Sequence, residues 1–406
     1  MSVTPDTVPQ KTFRLSMLIY DTRYRSLTIQ IVTLMIFMLG AAWLVSNAVA
    51  NLNALGKPIQ FSFLWDPAGY DINQKLIPYN NQMSHGRAAI IGLLNTLLVA
   101  FLGCFVATIL GVIIGVLRLS KNWLVARLMT VYIEVFRNVP ILLWIIFAMS
   151  IFIEIFPRPN EFRGDNSAAS MSLWGTTAFT NRGTYIPKPV FNDGALWVGI
   201  TFLLSLVAIW AFRRWAHARQ EATGQILPVF WISLGIFFIP SIVVYMIIGA
   251  PITLDYPVLK GFNFKGGLHL RNSLISLWLA LALYTAAFMA EIVRAGILSV
   301  SHGQTEAAYA LGLRPGRTMQ LVILPQALRV IIPPLISEYL NLTKNSSLAI
   351  AVGYMDITGT LGGITLNQTG RELESILLLM LIYLGISLSI SSVMNWYNSK
   401  VKLKER

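Results

Sequence analysis

Charge and cysteine are both scarce in this chain. Asp, Glu, Lys and Arg together make up only 12% of its 406 residues, there is one cysteine, Cys104, and 55% of the residues are hydrophobic. A single thiol excludes an intrachain disulfide, a CxxC metal site and a dithiol relay. Cys104 lies in an apolar run and reads as a small packing residue. The four histidines, His85, His217, His269 and His302, are remote from one another, and neither GxxxxGK[ST] nor HExxH occurs. The chain therefore carries no recognisable phosphate loop or zinc-hydrolase motif, and no catalytic residue, metal site or cofactor is assigned to it. His302 reads as a solvated side chain. So little charge also excludes a soluble globule. The net charge of +13 does not point to nucleic acid, because the Lys and Arg are scattered along polar connections instead of gathered with stacking aromatics.

Long apolar runs are abundant. Hydropathy predicts an all-α integral membrane protein with about eight transmembrane helices, near residues 28–50, 90–117, 138–156, 194–212, 227–250, 272–298, 326–345 and 373–396. An even number returns both termini to one side of the lipid bilayer. With that side cytoplasmic, the inner segments 1–27, 118–137, 213–226, 294–329 and 397–406 hold 19 Lys and Arg, against 11 in the outer segments 51–89, 157–193, 251–271 and 346–372. That bias follows the positive-inside rule. Ala48, Val49 and Ala50 form an A-x-A pattern after an apolar run, but the run is long and some 26 residues precede it, so an uncleaved first span is expected. Segment 157–193 is punctuated by Pro157, Pro159, Gly164, Gly175, Gly183, Pro187 and Pro189. It reads as an ordered but irregular external loop, either a connector or a contact for an external partner. There is no internal repeat and no low-complexity tract.

Residues 306–325, EAAYALGLRPGRTMQLVILP, stand out on the cytoplasmic side. Ala307, Ala308 and Ala310 favour a short smooth helix, Glu306 suits its positive end, and Gly312 can supply a left-handed cap. Arg314, Pro315, Gly316 and Arg317 make a polar turn, after which Thr318 to Leu324 can form a second helix ended by Pro325. Such a hairpin suits a surface cleft in a partner. Taken alone, Glu and Ala would also suit an ordinary connection between spans.

The spacing EAA, three residues, Gly, nine residues, apolar-x-Leu-Pro resembles the cytoplasmic coupling motif of bacterial ABC-importer permeases. NTLLVAF at Asn95 to Phe101, YIEVFRNVPILL at Tyr132 to Leu143, AEIVRAGI at Ala290 to Ile297, LPQALRVIIPP and KNSSL at Lys344 to Leu348 resemble the polar amino-acid branch of that family. The resemblance covers residues 90–156 and 272–396, about half the chain, and implies a type I permease core. It divides the chain into 1–89 (cytoplasmic N-terminus, first span and periplasmic segment), 90–156 (first part of the core), 157–271 (inserted periplasmic loops with two extra spans), 272–396 (second part, with the coupling loop 303–325) and 397–406 (cytoplasmic tail). This long form looks like one permease subunit of the general L-amino-acid importers of Gram-negative bacteria. One departure is Trp144, where the family's FR-x-x-P-x-L-x segment usually ends in Gln.

The resemblance implies that Gly303, Gln304, Glu306, Ala307, Ala308, Gly312, Arg314, Arg317 and Pro325 form the contact to an ABC ATPase. It implies two copies of that ATPase carrying ATP and Mg, a periplasmic amino-acid-binding protein, and a homologous second permease in a heterodimer, since one EAA motif engages one ATPase. Substrates would be polar L-amino acids of broad range. Charged and polar side chains inside spans normally face protein or water. Glu338, Asn341, Lys344 and Asn345 recur at helical spacing along the span broken by Pro333 and Pro334, and with Asn95 are candidates for the pathway or for a polar helix seam. Glu134, Arg137, Glu291 and Arg294 lie near cytoplasmic span ends, where salt bridges or headgroup contacts account for them. Two other classes compete. An ion-driven secondary amino-acid carrier would show paired broken helices, of which there is one, and a membrane scaffold would not need the polar span residues.

Overall fold

The computed structural model describes residues 17–164 and 167–401. The N-terminal residues 1–16 and tail residues 402–406, both assigned above to the cytoplasm, lie outside the described residues. One helical turn, α1 (Met17–Tyr20), precedes the long α2 (Thr22–Ala54), and α3 (His85–Arg118) begins under a Ser84 cap whose hydroxyl accepts the Arg87 N–H. Asn122 caps α4 (Trp123–Asn138) in the same way. α5 (Ile141–Ile155) follows after a bend of 106°. Pro140 is the cause: it has no N–H to continue the helix and forces Val139 into extended backbone. At 15 residues α5 is only about 22 Å long. The third expected span is therefore a bent pair and not one straight helix. With it, the described residues hold seven helices long and apolar enough to cross a membrane, or eight counting the pair.

After α5 the chain enters a polar cap. It holds a single turn, α6 (Ser172–Gly175), with Leu173 and Trp174 in left-handed backbone, and strands β1 (Ala178–Thr180), β2 (Gly183–Ile186) and β3 (Lys188–Phe191). The hairpin of α7 (Ala195–Thr223) and α8 (Val229–Ile247) then leaves and returns. On return come β4 (Ile252–Asp255), β5 (Val258–Lys260), β6 (Asn263–Lys265) and β7 (Leu268–Leu270). The pairing is antiparallel throughout: β1–β2–β7 in one sheet, β3 with β4, and β5 with β6. The expectation of an irregular loop over 157–193 is thus corrected. Strands of three and four residues between Gly and Pro are too short to leave a period-two pattern, and the partners of β2 and β3, β7 and β4, lie beyond the α7–α8 hairpin.

α9 (Asn272–Leu298) is the spine of the core, packed chiefly against α3 and more lightly against α4, α5 and α12. Both main partners present small residues, Ala107 and Gly111 on α3 and Ala282, Ala286, Ala287 and Ala290 on α9, all buried. Close backbone approach substitutes for the hydrophobic effect between helices in lipid. A Cβ on Gly115 would stand 2.6 Å from the Ala290 carbonyl oxygen. Past α9 lie α10 (His302–Ala310) and α11 (Pro315–Thr318), which runs through a π-helical turn at Met319–Ile323 into α12 (Leu324–Asn345). A 3-10 segment and a second π-helical stretch, Thr358–Thr365, lead to α13 (Leu366–Thr369) and α14 (Glu372–Val401).

On the side of the polar cap, segment 55–84 is strapped over the α12–α14 connection. Tyr70 and His85 both meet the Thr365 hydroxyl, at 3.2 and 3.0 Å, and Arg371 donates to the Pro58 carbonyl at 2.7 Å. The buried Asp356 carboxylate accepts the Gly359 N–H at 2.8 Å and so caps the π-helical stretch.

Candidate functional site

Two places concentrate polar chemistry in an otherwise apolar chain. The first is the connection from α9 to α12. Three backbone bonds close the end of α10, from Leu311 N–H to Ala307, Gly312 N–H to Tyr309, and Leu313 N–H to Ala308. They require the left-handed Gly312, with φ +76°, and Arg314 and Pro315 then open α11, proline taking the position where a missing N–H is free of cost. Gly303, Gln304, Glu306, Ala307, Gly312, Arg314 and Arg317 are all exposed, whereas Ala308 is buried against its own chain. Glu306 meets His302 Nδ1 at 3.0 Å on the open face of α10. Leu311 and Tyr309 are also exposed, Leu311 at 82%. These apolar side chains were missed in the sequence because a helix end in a membrane protein gives no cue to which apolar groups face water.

Pro325 does not end a second short helix. It sits at the start of α12 in one unbroken helical run from Pro315 to Asn345, and that expectation is corrected. The wide turn at Met319–Ile323 immediately before it shifts the hydrogen-bond register, which is how a helix accommodates a residue lacking an N–H.

The second place is a cavity of about 210 Å³ between α9 and α12, lined by Tyr284, Thr285, Phe288, Glu338, Asn341, Lys344 and Asn345. The four polar residues singled out by helical spacing on α12 therefore share one wall. The opposite wall, from α9, was not legible beforehand, although Tyr284 and Phe288 stand one helical turn apart with rings 5.0 Å from each other. Arg137, at the end of α4, lies 5.2 Å over the Phe288 ring. It extends the cationic side of the cavity and was read from sequence only as a structural charge. Trp144 stacks on Phe136 across the α4–α5 bend at 4.3 Å.

Asn95 is not part of this cavity. It is fully buried and donates to the carbonyls of Gln74 and Met355, both at 2.8 Å, which places it under the strap on the capped side. Glu134 accepts from Asn138 one turn on. Glu291 is gripped by Arg294 at 2.6 Å and by Arg118. Arg118 was not singled out in the sequence; it ends α3, and only the α3–α9 packing brings it to Glu291.

A helical membrane core with a cap on one side, a polar cavity within it and an exposed EAA hairpin on the other defines the membrane component of a transport system driven from outside the chain. The chain belongs to the binding-protein-dependent transport system inner-membrane components, the permeases of ATP-binding-cassette importers, whose family model matches residues 218–403. It is 59% identical to the glutamate/glutamine/aspartate/asparagine transport system permease protein BztB of Rhodobacter capsulatus, over 98% of each chain. It is 45% identical to the general L-amino acid transport system permease protein AapQ of Rhizobium johnstonii, over 95% of this chain and 94% of that one. Among solved structures, an amino acid ABC transporter crystallised with histidines aligns at a TM-score of 0.44 and 20% identity, over 78% of this chain and 95% of that chain. As a permease the chain is a non-catalytic, multi-pass component of the inner membrane. ATP is used by a partner ATPase, and a binding protein is the other partner of such systems. An ion-driven carrier and a passive scaffold both fall with the family membership.

Proposed function

We propose that this chain is one permease half of an importer for polar L-amino acids, with glutamate, glutamine, aspartate and asparagine as its first substrates to test. The full-length likeness to permeases named for those amino acids supports the reading. The observation that carries it is the cavity between α9 and α12, which brings the carboxylate Glu338 together with the cation Lys344 and the amides Asn341 and Asn345, while Arg137 lies over the ring of Phe288 in its wall. An α-amino acid is a zwitterion. Glu338 suits its ammonium group, Lys344 and Arg137 suit carboxylates, and the two amides suit either an acid or an amide side chain. In this reading both termini are cytoplasmic, the insertion 157–271 consists of an external cap and the two extra spans α7 and α8, and the 90–156 and 272–396 portions form the transport core. Two ATPase copies with ATP and Mg hold the EAA hairpins of this chain and of a homologous second permease. The ATPase contact comprises Glu306, Ala307, Gly312, Arg314 and Arg317, with Leu311 and Tyr309 as its apolar centre.

The test is uptake of labelled amino acids into proteoliposomes holding the two permeases, the ATPase and the binding protein. Glu338→Gln and Lys344→Ala should each lower ATP-driven uptake by about tenfold or more, in line with one lost charge-assisted hydrogen bond, while the complex still assembles. Loss of assembly in Lys344→Ala would mark the polar face as a seam between permeases. Unaltered uptake in both would remove the cavity from the pathway.

A further inference from the structure

Three turns of the cap converge on a second cavity, of about 640 Å³, lined by Arg158, Pro159, Asn160, Arg163, Asn181, Arg182 and Phe262. Arg158 and Arg163 flank the short 3-10 turn Pro159–Phe162, Asn181 and Arg182 form the β1–β2 turn, and Phe262 sits in the β5–β6 turn. The turns are tied together. Asn181 N–H donates to the Pro157 carbonyl at 3.0 Å, the Arg182 guanidinium donates to the Phe262 carbonyl at 3.3 Å, and the Arg163 guanidinium stands 5.7 Å over the Phe262 ring. Beneath them Phe162 meets Phe264 edge to face.

Among the described residues none of the three guanidinium groups has a carboxylate within ion-pair distance; the ion pairs lie elsewhere. Glu161, the acid in the turn, is occupied by the Arg158 backbone N–H at 3.2 Å. Phe262 is 86% exposed at the centre of this cationic ring. An aromatic flanked by arginines is the composition of an interface hot spot, and surplus positive charge both steers and selects an acidic partner. The groove is broad, and the one buried unpartnered side-chain atom among its lining residues is the Asn181 Oδ1, an acceptor that does not suit a small anion, so the groove fits a protein surface better.

We infer that the Arg158–Arg163–Arg182 ring around Phe262 docks an acidic patch on the substrate-binding protein. This rests on the reading above, in which the cap is external and a binding protein delivers the substrate. Docking here places the delivering protein on the insertion that lies between α5 and α9, the helix lining the substrate cavity.

The experiment uses the complete transporter in nanodiscs and its cognate binding protein. Affinity is measured at low and at high salt for the wild type, for the triple variant R158E/R163E/R182E and for R158E alone. The Arg158 guanidinium bonds to no described residue, so the single variant keeps the test informative if the triple one misfolds. In parallel a photo-crosslinking residue replaces Phe262. Expected are weakening of about tenfold or more in the triple variant and a smaller loss in R158E. Wild-type affinity should fall with salt, and crosslinks should reach an Asp- and Glu-rich surface of the binding protein. ATP hydrolysis without binding protein should be unaltered. Unchanged affinity in the variants, or crosslinks confined to lipid or to the second permease, overturns the inference while leaving the importer intact. If the binding protein neither binds the wild-type complex nor stimulates its ATP hydrolysis, the importer reading beneath it fails.

Discussion

Gly312 shapes the turn after α10 through a backbone angle and not through contacts. Its φ is +76°, and open space surrounds the point where a side chain would start. An aspartate there strains the left-handed backbone by about 1 kcal/mol or more and adds charge to the exposed turn. Gly312→Asp should therefore give a complex of normal yield whose ATP-driven uptake is reduced by about tenfold. Normal uptake would mean that the ATPase does not read the shape of this turn. His269, in β7, shows a different control. Its ring stacks flat on Tyr185 at 4.2 Å and donates to the Arg182 carbonyl, and burial lowers its pKa from 6.5, with the nearby Arg271 adding to the effect. Because the folded form resists protonation, the contribution of neutral His269 is complete above 6.5 and is lost as pH falls below 6.5 through the lowered folded value. Protection factors of the β2 and β7 amides, which remove the intrinsic pH dependence of exchange, should fall as the pH drops below 6.5, and His269→Gln should remove that fall.

The α3–α9 pair depends on missing side chains. A Cβ at Gly115 would meet the Ala290 carbonyl oxygen at 2.6 Å and the Val293 Cβ at 2.9 Å, both on the spine helix. Gly115→Val should lower the yield of folded permease and its midpoint of thermal unfolding, at a cost of about 1–3 kcal/mol for overpacking. An unchanged midpoint would mean that the two helices can separate without penalty. Legibility in the sequence follows the range of the contacts. Glu338, Asn341, Lys344 and Asn345 share a wall because they share a helix face, and that face was readable from spacing alone. Tyr284, Thr285 and Phe288 oppose them across a fold that brings together residues 50 or more positions apart, and no local period records it. The bend follows from Pro140 in the sequence, where proline forces Val139 into extended backbone, but the hydropathy of 138–156 reads as one straight span and gives no sign of the 106° angle. The strands of the cap were hidden by their shortness, and two of the pairings, β2 with β7 and β3 with β4, also by partners on the far side of the α7–α8 hairpin.

At the scale of the whole molecule, α9 is encased, while α2, α7, α8 and α14 turn large apolar side chains outward, among them Leu39, Trp43, Leu203, Trp210, Phe238, Ile247, Met380 and Leu384. The encased part carries the cavity, and the exposed apolar faces of helices this long suit lipid. Between them runs the uninterrupted helical stretch from Pro315 to Asn345, with Arg317 near one end and Glu338 and Lys344 near the other. Twenty-one residues of helix separate Arg317 from Glu338, about 32 Å. Between those ends the π-helical turn at Met319–Ile323 and the Pro333–Pro334 pair both disturb the regular hydrogen-bond ladder, so the stretch has two built-in places to bend. The same piece has the build of an articulated arm, with one elbow at the π-helical turn beside the hairpin and a second at Pro333–Pro334, just before the cavity wall that begins at Glu338.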